Sequence, residues 1–240
     1  MVDKIRVALV GLGNCFSGLI QGIEYYRKNP SQEVIGIIHD KLRDYSIHDI
    51  EFVAGFDVGE NKIGKPVNEA IYESPNMVDW IDKNDMPKTD GMVYESPALD
   101  GVGIWVENKV KPIQSDKSES ELKEEIKKII KDTGVEIIVS YLPVGSEKAT
   151  QFWANICLET NTAFVNCMPA FIASDKEWAQ KFKDKNIPII GDDIKGQVGA
   201  TIVHRTLARL CDERGTKIEK TYQINVVGNT DFLNMKEQER

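Results

Sequence analysis

Four short clusters in this chain bring together residue types that bind anions or hold polar ligands. The first is Gly11-Leu12-Gly13-Asn14-Cys15-Phe16-Ser17, directly behind the apolar run Ile5–Val10. Two glycines after a buried strand let the backbone turn tightly and approach a diphosphate, whose charge is met by amides at the start of the next helix. The third position of the GxGxxG dinucleotide fingerprint is Phe16, so the strict pattern fails. Asn14 and Ser17 offer short hydrogen-bonding side chains in its place. A plain strand-to-helix turn explains a lone GxG nearly as often. Asp57 stands near the end of the second cluster, "EFVAGFDV", where an acid can accept hydrogen bonds from an adenosine ribose and favour NAD over NADP. It lies more than forty residues past Gly13, about twice the usual gap, and an ordinary turn aspartate is the alternative.

The third cluster, "GDDIKGQVGAT" (191–201), sets Asp193 and Lys195 ahead of a helix start. It suits an anion, a ribose or nicotinamide, or a metal ion, and equally a well-capped polar loop. The fourth, "NVVGNTDFLN" (225–234), gathers Asn225, Asn229 and Asp231. Such side chains hold a polyol or make Asx turns.

These clusters need elements to position them. Ile5–Val10 reads as a buried strand, and Asn14 onward as a helix with Leu19, Ile20 and Ile23 on one face. Residues 27–50 form a polar excursion, and Glu51–Val58 is a strand covered on both faces. The stretch 59–112 holds Pro66, Pro75, Pro87, Pro97 and Pro112 and reads as long loops around one short helix near Val67–Tyr72. Ser118 and Glu121 box a helix that carries Leu122, Ile126, Ile129 and Ile130 and stops at Gly134. Then follow a strand at Glu136–Leu142, a helix with Ala149, Trp153, Ile156 and Cys157, and a strand at Ala163–Asn166. A helix boxed by Ser174 and Glu177 leads to a strand at Ile187–Gly191. A helix over 198–213 and a strand at Tyr222–Val227 complete the series. Strand–helix alternation predicts an α/β fold, a Rossmann-like doubly wound parallel sheet with ligands at the carboxyl ends of its strands.

A formal charge of −8 over 240 residues disfavours nucleic acid and anionic membranes as partners. Cys15, Cys157, Cys167 and Cys211 show no CxxC spacing, and the three histidines are scattered, so free thiols in a cytoplasmic protein are expected. No signal peptide and no membrane-spanning apolar run is apparent.

Taken in order, "VGLGNCFSGLIQGIEYY", "FVAGFDV", "VSYLPVGSE", "FVNCMPAFIASD", "GDDIKGQVGAT" and "GNTDFLNM" resemble the myo-inositol-1-phosphate synthase (inositol-3-phosphate synthase) family, most of all its shorter archaeal and bacterial branch. The resemblance implies an NAD site at Gly11, Gly13, Asn14, Cys15 and Ser17, with Asp57 at the ribose. Ser140, Tyr141, Leu142, Pro143, Cys167 and Met168 would line the cofactor. It places Asp193, Asn225, Asn229 and Asp231 around nicotinamide and substrate, and makes Asp193, Lys195, Asn225 and Asp231 the catalytic candidates. Gly196 stands where many relatives have serine. A divalent metal at Asp193 stays open.

The implied reaction converts glucose 6-phosphate to inositol phosphate by internal oxidation, enolisation, aldol closure and reduction. A homotetramer is implied as well. Residues 1–221 would form the NAD-binding domain, and 222–240 would begin a catalytic and tetramerisation domain that the chain carries only in truncated form. The lysine cluster expected of relatives lies past Arg240, so little or no activity is expected of the 240 residues alone. Two other readings stand beside this one: a non-catalytic NAD-binding or regulatory module, and a conventional NAD-dependent sugar dehydrogenase.

Overall fold

The computed structural model describes residues 3–30, 32–194, 196, 198–224, 226, 233 and 235–236. The apolar run after Lys4 forms β1 (Ile5–Val10), whose last four residues are buried. The glycine turn feeds α1 (Asn14–Lys28), which buries Phe16, Ile20 and Ile23. Leu19 is 39% exposed. On the helix it lies outside the edge of the stripe set by Phe16, Ile20 and Ile23, which corrects the expected face. The polar excursion holds a two-residue-per-strand hairpin, β2 (Lys41–Leu42) and β3 (Tyr45–Ser46), which stands apart from the main sheet.

The next strand, β4 (Ile50–Asp57), is buried from Phe52 onward. A single-turn helix, α2 (Val67–Ala70), follows. The long loops then give way to a strand the sequence did not announce, β5 (Met92–Glu95). The capping box of α3 (Glu119–Thr133) closes in both directions between Ser118 and Glu121, and the helix buries Leu122, Ile126 and Ile130. Next come β6 (Ile137–Ser140), α4 (Glu147–Thr160) and β7 (Ala163–Asn166).

In α5 (Lys176–Asp184) the cap is Asp175, whose side chain accepts from Glu177 N and Trp178 N. Ser174 is the expected cap, but its amide donates to Asp192 Oδ2 at 2.9 Å, and the aspartate one residue further on supplies the cap. The series ends with β8 (Ile189–Ile190) and α6 (Ala200–Glu213). The strand expected at Tyr222–Val227 is corrected. Its described residues pair with no strand, and Tyr222, Ile224 and Val226 are largely exposed.

The other six strands form one parallel sheet in the order β5-β4-β1-β6-β7-β8. The chain winds outward from β1 in both directions, so the order reverses between β1 and β6. A crevice opens there at the carboxyl ends of the strands. One apolar core, with α3 and α4, centres on Trp153, Phe56 and Phe164. The other, with α1 and α2, centres on Leu9, Leu12 and Phe16. Among the described residues no helix is long and apolar enough to cross a membrane.

Candidate functional site

Strand register brings the predicted loops to one place. Val10 pairs with Phe56 on one side and with Ser140 on the other, so Gly11 lies between Asp57 and Tyr141. Gly11 N donates to Phe56 O at 2.9 Å, and Tyr141 N donates to Val10 O at 2.9 Å. Gly11 adopts φ +81°, and a Cβ there would stand 2.9 Å from Tyr141 O. Only glycine fits this close approach. Gly13 differs: a Cβ would meet nothing within 4 Å, so packing within the chain does not demand its glycine.

An open cleft runs along this rim. Gly11, Gly13, Asn14, Cys15 and Asp57 line its centre, with Tyr141, Leu142, Pro143 and Met168 on one flank. Nine of the site residues expected from the sequence therefore meet here. The Tyr141 ring is held edge-on against Phe16 at 4.7 Å between centroids. Burial raises the Tyr141 hydroxyl well above the ordinary tyrosine range, and the neighbouring Cys167 adds to this. Burial also raises Cys167, against a hydrogen bond from Tyr141 that works to lower it. Both are neutral at physiological pH.

Other expected residues stand elsewhere. Ser17 is buried inside α1, where its Oγ accepts from Gln21 Nε2 at 2.9 Å. Ser140 is buried at the end of β6, and its Oγ has no hydrogen-bond partner among the described residues. Cys167 is buried beside Tyr141. Asp193 is exposed at φ +70°, and its carboxylate accepts from its neighbour Ile194 N. Lys195, Asn225, Asn229 and Asp231 lie outside the described residues.

The acid fixed in the third loop is Asp192. Its carboxylate accepts from Ile172 N, Ala173 N, Ser174 N and Asn166 Nδ2 at 2.8–3.0 Å. Burial opposes its ionisation, but the hydrogen bonds from Ser174, Asn166, Ala173 and Ile172 prevail and hold it below the usual carboxylate range. It pins the loop after β7 to the end of β8.

Two contributions to the cleft escaped the sequence reading. Pro97, Ala98, Val102, Val106 and Val110 make an apolar wall at one end. Lys62 and Asn76 enter below the glycine turn. The i, i+4, i+8 spacing of the three valines is the signal that could have revealed the wall.

The two helices that start at this rim differ at their N-termini. Asp100 covers the start of α4, accepting from Lys148 N and Ala149 N at 2.7 and 2.9 Å. The cap position of α1 is Gly13, with no side-chain cap and no acid in the first turn. The side-chain Oδ1 of Asn14 accepts from Met77 N at 2.8 Å. The positive end of α1 therefore faces the cleft, while that of α4 is already neutralised. Among the described residues no group of three His, Cys, Asp or Glu side chains stands where it could hold a metal ion.

A parallel sheet in this order with a glycine-turn cleft at its switch point defines a Rossmann-like α/β protein. Its relatives narrow the class. A family model described as myo-inositol-1-phosphate synthase matches residues 199–240. An inositol-3-phosphate synthase of Mycolicibacterium smegmatis is 47% identical over 238 residues, covering 99% of this chain and 63% of that protein. One from Corynebacterium glutamicum is 48% identical over 239 residues, covering 99% and 64%. A solved structure titled "Crystal structure of Ari2" superposes with a TM-score of 0.83 at 31% identity, over 98% of this chain and 67% of that one. A myo-inositol-1-phosphate synthase-related protein from Thermotoga maritima shares the fold, with a TM-score of 0.74 at 24% identity over 96% and 65% of the two chains. Over nearly its whole length the chain is similar to inositol-3-phosphate synthases, and it spans just under two thirds of the length of these two.

Proposed function

We propose that this chain holds NAD in the switch-point cleft and serves the conversion of glucose 6-phosphate to 1L-myo-inositol 1-phosphate. The single observation that carries the reading is the uncapped, acid-free start of α1 beneath Gly13. A Cβ added at Gly13 would meet nothing within 4 Å, so the space over the helix start is open to an anion that its free amides favour. The fit extends along the cleft: the valine wall suits an adenine, and Asp57 lies between that wall and the turn. Tyr141, Leu142, Pro143 and Met168 would flank the path toward nicotinamide.

Bound NAD would supply reversible hydride storage, so that the sugar is oxidised and reduced in one residence with no net redox change. The chain's own part is to bind, orient and exclude water. The glycine turn fixes the diphosphate, and the neutral Tyr141 and Cys167 keep negative charge away from the nicotinamide end. Asp193, Lys195, Asn225 and Asp231 are the proposed residues around the substrate, with Asn229 beside the nicotinamide. Residues 1–221 serve as the cofactor domain and 222–240 lead into the catalytic one. The setting is proposed to be cytoplasmic, in keeping with four cysteines that form no disulfide. The assembly is proposed to be a homotetramer.

The test is incubation with NAD⁺ and glucose 6-phosphate, reading absorbance at 340 nm and inositol phosphate together, alongside equilibrium dialysis with NAD⁺. The proposal expects NAD⁺ retention, with inositol phosphate formed only alongside the family's downstream lysines and no net NADH in either case. Net NADH accumulation would mark a conventional dehydrogenase. Failure to retain NAD⁺ would overturn the proposal.

A further inference from the structure

Lysine is seldom fully buried, because its ammonium must be given partners that replace water. Lys62 is 5% exposed. Its Nζ donates to Leu12 O at 2.8 Å and to Asn76 Oδ1 at 3.4 Å, and stands 3.6 Å from Asp57 Oδ2. Asn76 Nδ2 donates to the same Leu12 O at 2.9 Å. On the other side of that residue, Leu12 N donates to Asp57 Oδ2 at 2.8 Å. The middle residue of the glycine turn is thus gripped at both its N–H and its C=O by three side chains from the β4–α2 region and the loop after it. Its own side chain is fully buried. No other part of the turn is held this way among the described residues.

Two consequences follow for an anion above the turn. The Leu12–Gly13 peptide cannot rotate without breaking the Lys62 and Asn76 bonds, so the amides at the start of α1 keep a fixed direction. Preorganised donors bind more tightly because no ordering cost falls on the complex. Asp57 also places a buried negative charge in the wall of a cleft proposed to take a dianionic diphosphate. Lys62 neutralises it from within, at a distance where the low local dielectric makes the pairing effective.

We infer that Lys62 is a positioning residue for diphosphate recognition: it locks the Leu12 carbonyl and cancels the Asp57 charge, so that the glycine turn accepts a diphosphate-bearing ligand. This rests on the dinucleotide reading above. The adenosine end of a ligand, against the valine wall, is independent of Lys62.

The test is calorimetric titration of the wild-type chain, Lys62→Met and Lys62→Arg with NAD⁺, ADP-ribose and adenosine, beside thermal melts. In Lys62→Met, affinity for NAD⁺ and ADP-ribose should fall tenfold or more while adenosine affinity stays within twofold. Lys62→Arg should recover most of the loss. Hydrogen exchange at residues 13–17 should quicken in Lys62→Met only. Unchanged NAD⁺ affinity in Lys62→Met would overturn the inference, and so would an equal loss for all three ligands, since that marks general collapse. If Lys62→Met does not fold, Lys62→Gln is measured against the same thresholds. A wild-type chain that binds none of the three overturns the dinucleotide reading itself, which separates the two failures.

Discussion

Helices α4 and α6 have the same length and similar apolar content, yet they live in different surroundings. α4 buries eight of its fourteen residues, with Trp153 fully enclosed. Its indole packs 4.8 Å from Phe56 and 5.8 Å from Phe152, centroid to centroid. α6 buries none. Its Ile202, Val203, Leu207 and Leu210 are each at least 42% exposed. The difference teaches that periodicity fixes which face a helix will bury but says nothing of whether a partner surface is present. In α4 the partner is the sheet. In α6 no described element supplies one.

The contrast can be broken or sharpened by substitution. Trp153→Ala should destabilise the chain most, by about 3–5 kcal/mol, because it empties a site the surroundings cannot fill; chemical denaturation reads this directly. Asp192→Asn should cost about 2–3 kcal/mol, since an amide cannot accept from all the donors that converge there. Asp192 also carries a pH signature. Its folded-state pKa is depressed, so its stabilisation is complete above the unfolded carboxylate value of about 3.9 and is lost as pH falls through the folded value. Acid-unfolding curves of wild type and Asp192→Asn should therefore converge at low pH and separate above it.

Asp100→Ala, which uncovers the start of α4, should cost about 1 kcal/mol. It also opens a second positive helix end on the rim, so weak extra binding of inorganic diphosphate would accompany it. Leu207→Ala in α6 should lie within about 0.5 kcal/mol of wild type. A loss near 2 kcal/mol would instead mean that α6 is covered in solution. Amide exchange checks the same point without mutation: α4 protected at the level of global unfolding, α6 exchanging much faster.

What could be read from residues alone follows the same division. The turn between β1 and α1, the capping box of α3 and the buried face of α4 were legible because each is a local pattern with one structural outcome. β5 was not, because four residues between polar loops carry too little alternation to signal an edge strand. Lys62 was invisible for a different reason: a lysine in a polar stretch looks solvated until Asp57, Asn76 and the Leu12 carbonyl are brought around it. In Asp192-Asp193 the sequence showed an acidic pair but not which member the loop would hold. Only the placement of the 172–174 amides selects Asp192.

The most direct measurement is a crystal of the chain soaked in NAD⁺. The account predicts a diphosphate within hydrogen-bond reach of the Asn14 and Cys15 amides over Gly13, with adenine against Val102, Val106 and Val110. A diphosphate seated at the start of α4, or a rim left empty at saturating NAD⁺, would contradict it.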